Sequence, residues 1–463
     1  MCKINSYDFA HGTYLIVYIW KVSTNKANMR LVKGTRISND KLMSPYRALG
    51  VAFTILLCLV FLNFDIAKTL LQENTSKYQS ENMLQENTSK YQSGNFTQRF
   101  NRPPLWARHI AKENGSLTFK GGQTLNNDVL QNIKVSNITY CKKQRFLVYK
   151  CDSSMLCGGW GDRQKGIVST FLMAILTNRV FVIDMDKPCK LDNILLPNIY
   201  DWSLCYNFVK TVSKRNIIQL SYTDNLVKVK ETLQSSDFNR TWPKQVVALT
   251  VNSYAIDEVR KHKLAKTRLK WLLNITNEKA IHLVLHTLFK PGEKILNDAS
   301  EFYDKHVQGK QLICSHIRMG RNPSIPSDAI LKVSNETMLF QFLKYFEEEV
   351  QNAIYVATDS KEIKQLARKN IKSYININRT IVHVDRLGKF KDIKSESCQG
   401  FATAILEQFI LSLCDILLIT KSGFGTMAAY IRGLDDNLFI FHPKTRTIVK
   451  SNLVNVQRAF KFH

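Results

Sequence analysis

Acidic residues are in short supply: 38 Asp and Glu stand against 65 Lys and Arg, leaving a formal net charge of +27 and a pI near 9.6. A surface of that sign suits nucleic acid, anionic lipid or a small phosphorylated ligand, and it is equally met in a Lys-rich solvated face with no partner. Zinc-finger spacing, an aromatic RNA-binding signature and long Arg-rich tracts are all missing. Charge alone therefore speaks for nucleic acid, and no nucleic-acid partner is expected. Disorder is not expected either, because 44% hydrophobic and 22% charged residues is the composition of a globular chain. The 463 residues exceed the roughly 250 to 300 that one hydrophobic core serves, which predicts two packed domains.

Charge is absent altogether from Ala48 to Phe64 (ALGVAFTILLCLVFLNF), a run bounded by Arg47 and Asp65. Such a run predicts a membrane helix, and at about 1.5 Å per residue it spans roughly 25 Å, nearer to an early-secretory bilayer than to a plasma membrane. Lys3, Lys21, Lys26, Arg30, Lys33, Arg36, Lys41 and Arg47 precede it against Asp8 and Asp40, which places the N-terminus in the cytosol. A cleaved signal peptide is the rival, but the run begins late and no small-x-small site follows Phe64. The expectation is a single-pass type II protein of the ER or Golgi membrane. Glycosylation sequons at Asn74, Asn87, Asn95, Asn114, Asn137, Asn239, Asn274, Asn335 and Asn378 all follow the run, as do all ten cysteines but Cys2 and Cys58. In an oxidising compartment those eight thiols are expected to pair, in a connectivity that spacing does not reveal.

Beyond the run, LQENTSKYQS occurs at Leu71 to Ser80 and again at Leu84 to Ser93, in a polar stretch without apolar periodicity. Two copies do not make a solenoid, so the segment reads as an extended glycosylated stem. From about Cys141 short apolar runs alternate with amphipathic stretches, the pattern of doubly wound α/β domains. Strands are predicted at Phe146 to Tyr149, Val180 to Ile183, Ile217 to Leu220 and Val246 to Val251, then at Leu312 to Ile317, Ile354 to Ala357, Ile381 to Val384, Ile416 to Ile419 and Leu438 to Phe441. Helical spacing marks Ile167 to Leu176, Ile281 to Phe289, Met338 to Phe346 and Ala402 to Leu413. The resulting division is a cytosolic tail at 1–47, a transmembrane helix at 48–64, a stem at 65–135, and two Rossmann-like halves at 136–305 and 306–463 facing a cleft.

Open α/β sheets bind ligands beyond the carboxyl ends of their strands, so four strand-to-helix loops are candidates. The first is Gly158-Gly159-Trp160-Gly161-Asp162-Arg163, whose glycines let the backbone approach a ligand at a helix N-terminus. A plain Gly-rich turn explains it equally. The second is Ser315-His316-Ile317-Arg318-Met319-Gly320-Arg321, where the Arg318 guanidinium can fork onto a diphosphate or pair with a surface acid, and His316 can be a ligand group or a core imidazole. The third, Tyr355 to Ser360, offers Thr358 or Asp359 as helix caps. In the fourth, Ser422-Gly423-Phe424-Gly425-Thr426, backbone N–H groups and a hydroxyl suit a phosphate, or a capped turn.

Taken in order, these loops resemble the superfamily of α1,2-, α1,6- and protein O-fucosyltransferases over residues 141 to 445. GGWGDRQKGIVSTFLMAILTNRVFVID is similar to the first segment of that family, HIRMG to its H-x-R motif, and YVATDS with LSLCDILLITKSGFGTMAAYIRG to the motifs of its donor-binding half. The resemblance implies a GT-B fold and an inverting, metal-independent transfer of fucose from GDP-fucose to a glycan or glycoprotein hydroxyl, without a cofactor. It implies that Arg318, with His316 beside it, contacts the β-phosphate, that Ser422, Gly423, Phe424 and Gly425 cradle the diphosphate, and that Asp385 accepts from guanine. Gly161, Asp162 and Arg163 would reach across the cleft, with Asp162 facing the acceptor. Met319 and Arg321 stand where some members have Arg and an acid, and Pro326 where the core α1,6 enzymes have a Glu, so Asp328 becomes the candidate base. Those departures keep two alternatives open: a nucleotide-sugar-binding pseudoenzyme, and a transferase using another nucleotide sugar.

Overall fold

The computed structural model describes residues 138–460 except 235–236, 321–335, 348–350, 380, 386–393 and 443–444, together with strands between residues 2 and 37 and at 118–119 and 123–124. The chain divides into two units, Met1–Phe96 and Thr97–His463. In the first, strands Cys2–Phe9, Gly12–Ser23, Lys26–Leu31 and Thr35–Ile37 pair antiparallel.

The membrane assignment is corrected. No helix among the described residues is long and apolar enough to cross a membrane. The apolar run 48–64 and the repeats of the expected stem lie outside the described residues. The structure therefore gives no support to a transmembrane helix, and the type II topology and the ER or Golgi membrane location drawn from it are withdrawn.

The second unit carries the two parallel sheets that the alternating pattern predicts. In the first, strands β1 (Phe146–Cys151), β2 (Val180–Met185), β3 (Ile217–Ser221) and β4 (Val246–Thr250) run parallel in the order β3-β4-β1-β2. The second contains β5 (Gln311–Ile317), β6 (Asn352–Thr358), β7 (Tyr374–Ile375), β8 (Ile416–Ile419), β9 (Leu438–His442) and β10 (Thr447–Ser451) in the order β7-β6-β5-β8-β9-β10. Only β10 is antiparallel to its neighbour.

Period-two alternation assigns each strand's side chains to two different cores. On the first sheet Leu147, Tyr149, Val247 and Leu249 face the large core, while Phe146, Val148, Val246 and Ala248 face a small outer one. On the second sheet Leu312, Cys314, Tyr355, Leu417 and Ile419 join that same large core, and Ile313, Ile354, Val356, Ile416 and Leu418 build a separate outer cluster. One buried cluster therefore runs through both halves, and the helices that feed it bury many of their side chains. These are α1 (Trp160–Leu176), α2 (Asn277–Leu288), α3 (Glu293–His306), α6 (Lys394–Leu413) and α7 (Gly423–Arg432), with α4 (Glu336–Tyr345) and α5 (Lys361–Asn370) lying between strands of the second sheet in the chain. Of these, α3 contributes along the single face of Ile295, Ala299 and Phe302.

The halves are joined by more than apolar contact. Gln164 on α1 and Gln408 on α6 exchange two amide hydrogen bonds of 2.9 and 3.1 Å, and Gln408 also accepts from the Trp160 indole at 2.8 Å. The disulfide Cys189–Cys398 ties residues 209 apart across the same boundary, while Cys141–Cys205, Cys151–Cys157 and Cys314–Cys414 stay within one half each.

Three local expectations differ. Ile381 to Val384 is not a strand. Val382 and Val384 are buried, Val382 so close to Gly400 on α6 that a Cβ there would lie 2.4 Å from its Cγ2, and all four residues border a cavity, Ile381 and His383 being the more exposed. The alternation is present without a ladder partner; the edge of the sheet is β7 instead. Helix α2 stops at Leu288, and Phe289–Pro291 pairs antiparallel with Leu195–Pro197. The cap of α5 is neither Thr358 nor Asp359 but Ser360, whose hydroxyl accepts from the Ile363 N–H.

Candidate functional site

A ligand crevice is expected where the strand order reverses, since neighbouring crossovers there leave on opposite faces of the sheet. In the second sheet that point lies between β5 and β8; in the first sheet, where the connections leaving β1 and β4 pack on the same large-core face, the facing loops are those after β1 and β4. The loops after these four strands are 152–159, 251–255, 318–320 and 420–422, and residues from all four line one cavity of about 890 Å³.

Two helix N-termini meet at the cavity. α1 begins after Gly159 and α7 after Ser422, whose hydroxyl accepts from the Phe424 N–H at 3.2 Å. They approach so closely that a Cβ on Gly161 would lie 2.6 Å from the Gly423 carbonyl carbon, which only a glycine allows. The unpaired N–H groups and partial positive charge of two helix starts thus converge on one space. Lys165, Arg318 and Lys421 also line it.

Arg318 follows β5 directly and its backbone N–H donates to Thr420 Oγ1 at 2.9 Å, stitching it to the loop after β8. Its guanidinium pairs with Asp359, and the same carboxylate accepts from the Met319 and Gly320 N–H groups at 2.7 and 2.8 Å. Asp359 therefore fixes both the backbone and the side chain of the Arg318 loop. Met319, in contrast, is buried in the outer cluster of the second sheet and is not presented to the cavity.

His316 is buried beneath the loop with its ring 5.2 Å from that of Phe424. Its Nδ1 has no hydrogen-bond partner, and burial together with the Arg318 charge holds its pKa down to about 3, so the imidazole is neutral. Glu407 on α6 lines the cavity from inside, nearly inaccessible to solvent. Burial raises its carboxyl to about 7 against the opposing pull of Lys364, whose Nζ lies 3.8 Å away.

Of the residues singled out from the sequence, Gly161, Asp162, His316, Arg318, Ser422, Gly423 and Phe424 line the cavity. Gly425 backs onto His316 rather than lining it; a Cβ there would lie 2.7 Å from Nδ1. Asp328 is outside the described residues, as are Arg321 and Pro326.

Arg163 and Asp385 require correction. Arg163 is fully buried and donates to the carbonyls of Gly158, Lys187 and Val384. Asp385 is not at the cavity: its oxygens accept from the N–H groups of Cys157 and Gly158, each at 3.2 Å, from Lys187 at 3.0 Å and from Arg163 at 3.5 Å. Burial pushes its carboxyl up, but Lys187, the Cys157 N–H and Arg163 outweigh that and hold it below the usual carboxylate range. Arg163 does reach across to the other half, as expected, but to hold Asp385 and not a ligand. Three of those donors fall on Oδ1 and one on Oδ2, so the carboxylate is engaged mainly within the protein and away from the cavity lining.

Residues that the motifs did not point to complete the wall: Lys165, Asp224, Asn252 and Ser253 from the first half, and His383, Glu407 and Lys421 from the second. Glu407 carried a readable signal, being an acid set among Ile405, Leu406 and Ile410 on an otherwise apolar helix. Among the described residues no group of three or more His, Cys, Asp and Glu is placed to hold a metal ion.

No protein-family model matches the chain, and no curated protein does. Solved structures similar to it include the α-1,6-fucosyltransferase NodZ soaked with GDP-fucose, at TM-score 0.42 and 13% identity over 67% of this chain and 100% of that one. A mutant of Arabidopsis thaliana FUT1 in complex with GDP is similar at TM-score 0.44 and 15% identity, over 69% and 75%. POFUT1 in complex with GDP-fucose follows at TM-score 0.31 and 10% identity, over 62% and 94%. At TM-scores below 0.5 nothing about this chain rests on them.

Proposed function

We propose that this chain is a glycosyltransferase of GT-B architecture that transfers fucose from GDP-fucose to a hydroxyl of a glycan or glycoprotein, with inversion at the anomeric carbon. Residues 306–463 form the donor half and 136–305 the acceptor half. The observation that carries the reading is the convergence of the α1 and α7 N-termini with Arg318, Lys165 and Lys421 on one cavity beside the switch point of the second sheet. Positive groups so arranged suit a diphosphate more than any neutral ligand. The sequence motifs narrow the diphosphate to that of GDP-fucose.

In the transfer the acceptor oxygen bonds to fucose C1 while the bond from C1 to the β-phosphate oxygen breaks, its electron pair leaving with GDP and the acceptor proton passing to a carboxylate or to solvent. Arg318 and the N–H groups at the start of α7 act on the leaving oxygen as its charge grows. Asp359 keeps the guanidinium oriented. The base edge falls to Glu407 in place of Asp385, since it is the buried carboxyl of the cavity and carboxylate oxygens accept from guanine N1 and N2.

A thermal-shift comparison tests this. GDP is expected to raise the melting temperature of the full chain and UDP to raise it much less, and Glu407→Gln to narrow the difference. Equal stabilisation of the wild type by GDP and UDP would show the guanine assignment to be wrong.

A further inference from the structure

A cavity of about 890 Å³ lies toward the upper end of the roughly 300 to 1,000 Å³ typical of small-ligand sites, which leaves room beside the donor. On the first-half wall, Asp224 and Asn252 are joined edge to edge: the Asp224 N–H donates to Asn252 Oδ1 at 2.9 Å, and Asn252 Nδ2 donates to Asp224 Oδ1 at 2.7 Å. Asp224 sits at φ 55°, a left-handed conformation that Asp tolerates better than most residues and that this clamp holds in place. It is exposed, and its Oδ2 has no protein donor among the described residues. Next to Asn252, the Ser253 hydroxyl is buried and makes no hydrogen bond.

The mounting of this group is rigid. Ser169 on α1 is buried, and its hydroxyl donates to the Ser253 carbonyl at 2.8 Å and accepts from the Ala255 N–H at 2.9 Å. Gly166, one turn earlier, lets α1 approach the Val251 carbonyl so closely that a Cβ would sit 1.7 Å from its oxygen. The loop after β4 is thus welded to the helix whose N-terminus faces the proposed diphosphate. A polar fork and an unanswered hydroxyl held on the cavity wall beyond β4 are features of a binding surface, because buried polar groups otherwise find partners.

Building on the donor reading above, we propose that Asp224, Asn252 and Ser253 form the acceptor subsite and that its ligand is a saccharide. Adjacent hydroxyls of a sugar ring match the paired acceptor and donor of the fork, and Ser253 supplies a third bond. A peptide acceptor would need a main-chain pairing edge or apolar anchor pockets, and the apolar side chains of this wall are Leu226 and Trp160, the latter almost wholly buried.

The test uses the full chain, GDP-fucose, a set of methyl glycosides (of galactose, glucose and N-acetylglucosamine), lactose, and a serine-containing peptide. Transfer to at least one saccharide is expected in the wild type. Asp224→Asn should raise the KM for that saccharide at least tenfold while the KM for GDP-fucose changes less than twofold. Ser253→Ala removes a hydroxyl that bonds to nothing in the protein, so its melting temperature should hold or rise while the saccharide KM rises several-fold. Unchanged saccharide KM in both variants, or transfer to the peptide alone, would overturn the subsite. A wild type that binds no GDP overturns the donor reading and the subsite with it, whereas one that binds GDP and hydrolyses GDP-fucose but transfers to none of these saccharides overturns the subsite only.

Discussion

Arg318→Ala separates a catalytic guanidinium from a merely structural one, because the structure predicts how little of the fold depends on that side chain. The loop around it is held by bonds the substitution leaves in place: Arg318 N–H to Thr420 Oγ1 at 2.9 Å, and the Met319 and Gly320 N–H groups to Asp359 at 2.7 and 2.8 Å. The lost ion pair is 22% exposed on the arginine side and 8% on the aspartate side, between an exposed pair and a buried one, which puts the cost of breaking it at about 1 to 3 kcal/mol of stability. The charge it meets in the transition state is another matter. Removing one preorganised donor from a developing anion costs about a hundredfold or more in turnover, roughly 3 kcal/mol.

Turnover at saturating GDP-fucose should therefore fall by about two orders of magnitude while the melting temperature drops by no more than about 10 °C and the chain stays folded at the assay temperature. Arg318→Lys should recover part of the loss, since an ammonium restores the charge without the fork. One confounding explanation is that the alanine variant fails because Asp359 is left unpaired beside a phosphate. The double variant Arg318→Ala with Asp359→Asn removes that charge, and the mechanism above predicts no recovery. Restored turnover in the double variant, or wild-type turnover in a stable Arg318→Ala, would refute the role assigned to Arg318.

Asp385→Asn leaves Arg163 and Lys187 short of a counter-charge in the interior and should destabilise the chain by about 3 kcal/mol, read by denaturant unfolding, with or without GDP present. Glu407→Gln should stabilise the unliganded chain increasingly between about pH 4.5 and 7. The wild-type carboxyl, raised from 4.5 to about 7 by burial, contributes stability that is complete below 4.5 and lost as pH rises through 7, and melting temperatures of the two proteins across that range check it. His316 runs the opposite way: lowered from 6.5 to about 3, it contributes stability present above 6.5 and lost as pH falls toward 3, so His316→Gln should flatten the acid side of the same curve.

Strand positions were legible because parallel strands buried on both faces leave short apolar runs of a fixed kind. Ile416 to Ile419 is read from the sequence to the residue, and Leu312 to Ile317 to within one. The misses have specific causes. Ile381 to Val384 has strand composition because Val382 and Val384 pack on α6, and composition does not reveal whether a backbone finds a ladder partner. Strand β10, Thr447–Ser451, is half exposed and carries Lys450, so its apolar signal is diluted. The exposure of an apolar run to lipid is likewise not written in its hydropathy alone, and residues 48–64 find no counterpart among the described helices.

The site divides along a similar line. Residues placed by local geometry do line the cavity: Ser422 and Gly423 because a strand-to-helix turn must expose its first N–H groups, and Arg318 because it follows the last residue of β5. Residues placed by packing between the halves were not. Asp385 and Arg163 looked like ligand groups because an acid after an apolar run and an Arg after glycines are what a ligand would need. The same types are what a buried interface needs, and only the distances from Asp385 to Lys187, Cys157 and Gly158 separate the two uses. The distinction has a physical rule. A buried charge whose protein partners already neutralise it contributes rigidity, whereas a polar atom buried without partners on the cavity wall, such as the Ser253 hydroxyl, carries a cost that a ligand can relieve. By that rule the cavity beside the switch point of the second sheet, and not the Asp385 cluster behind it, is where chemistry is to be sought, and the unanswered Ser253 hydroxyl on its wall calls for a polar group from the substrate.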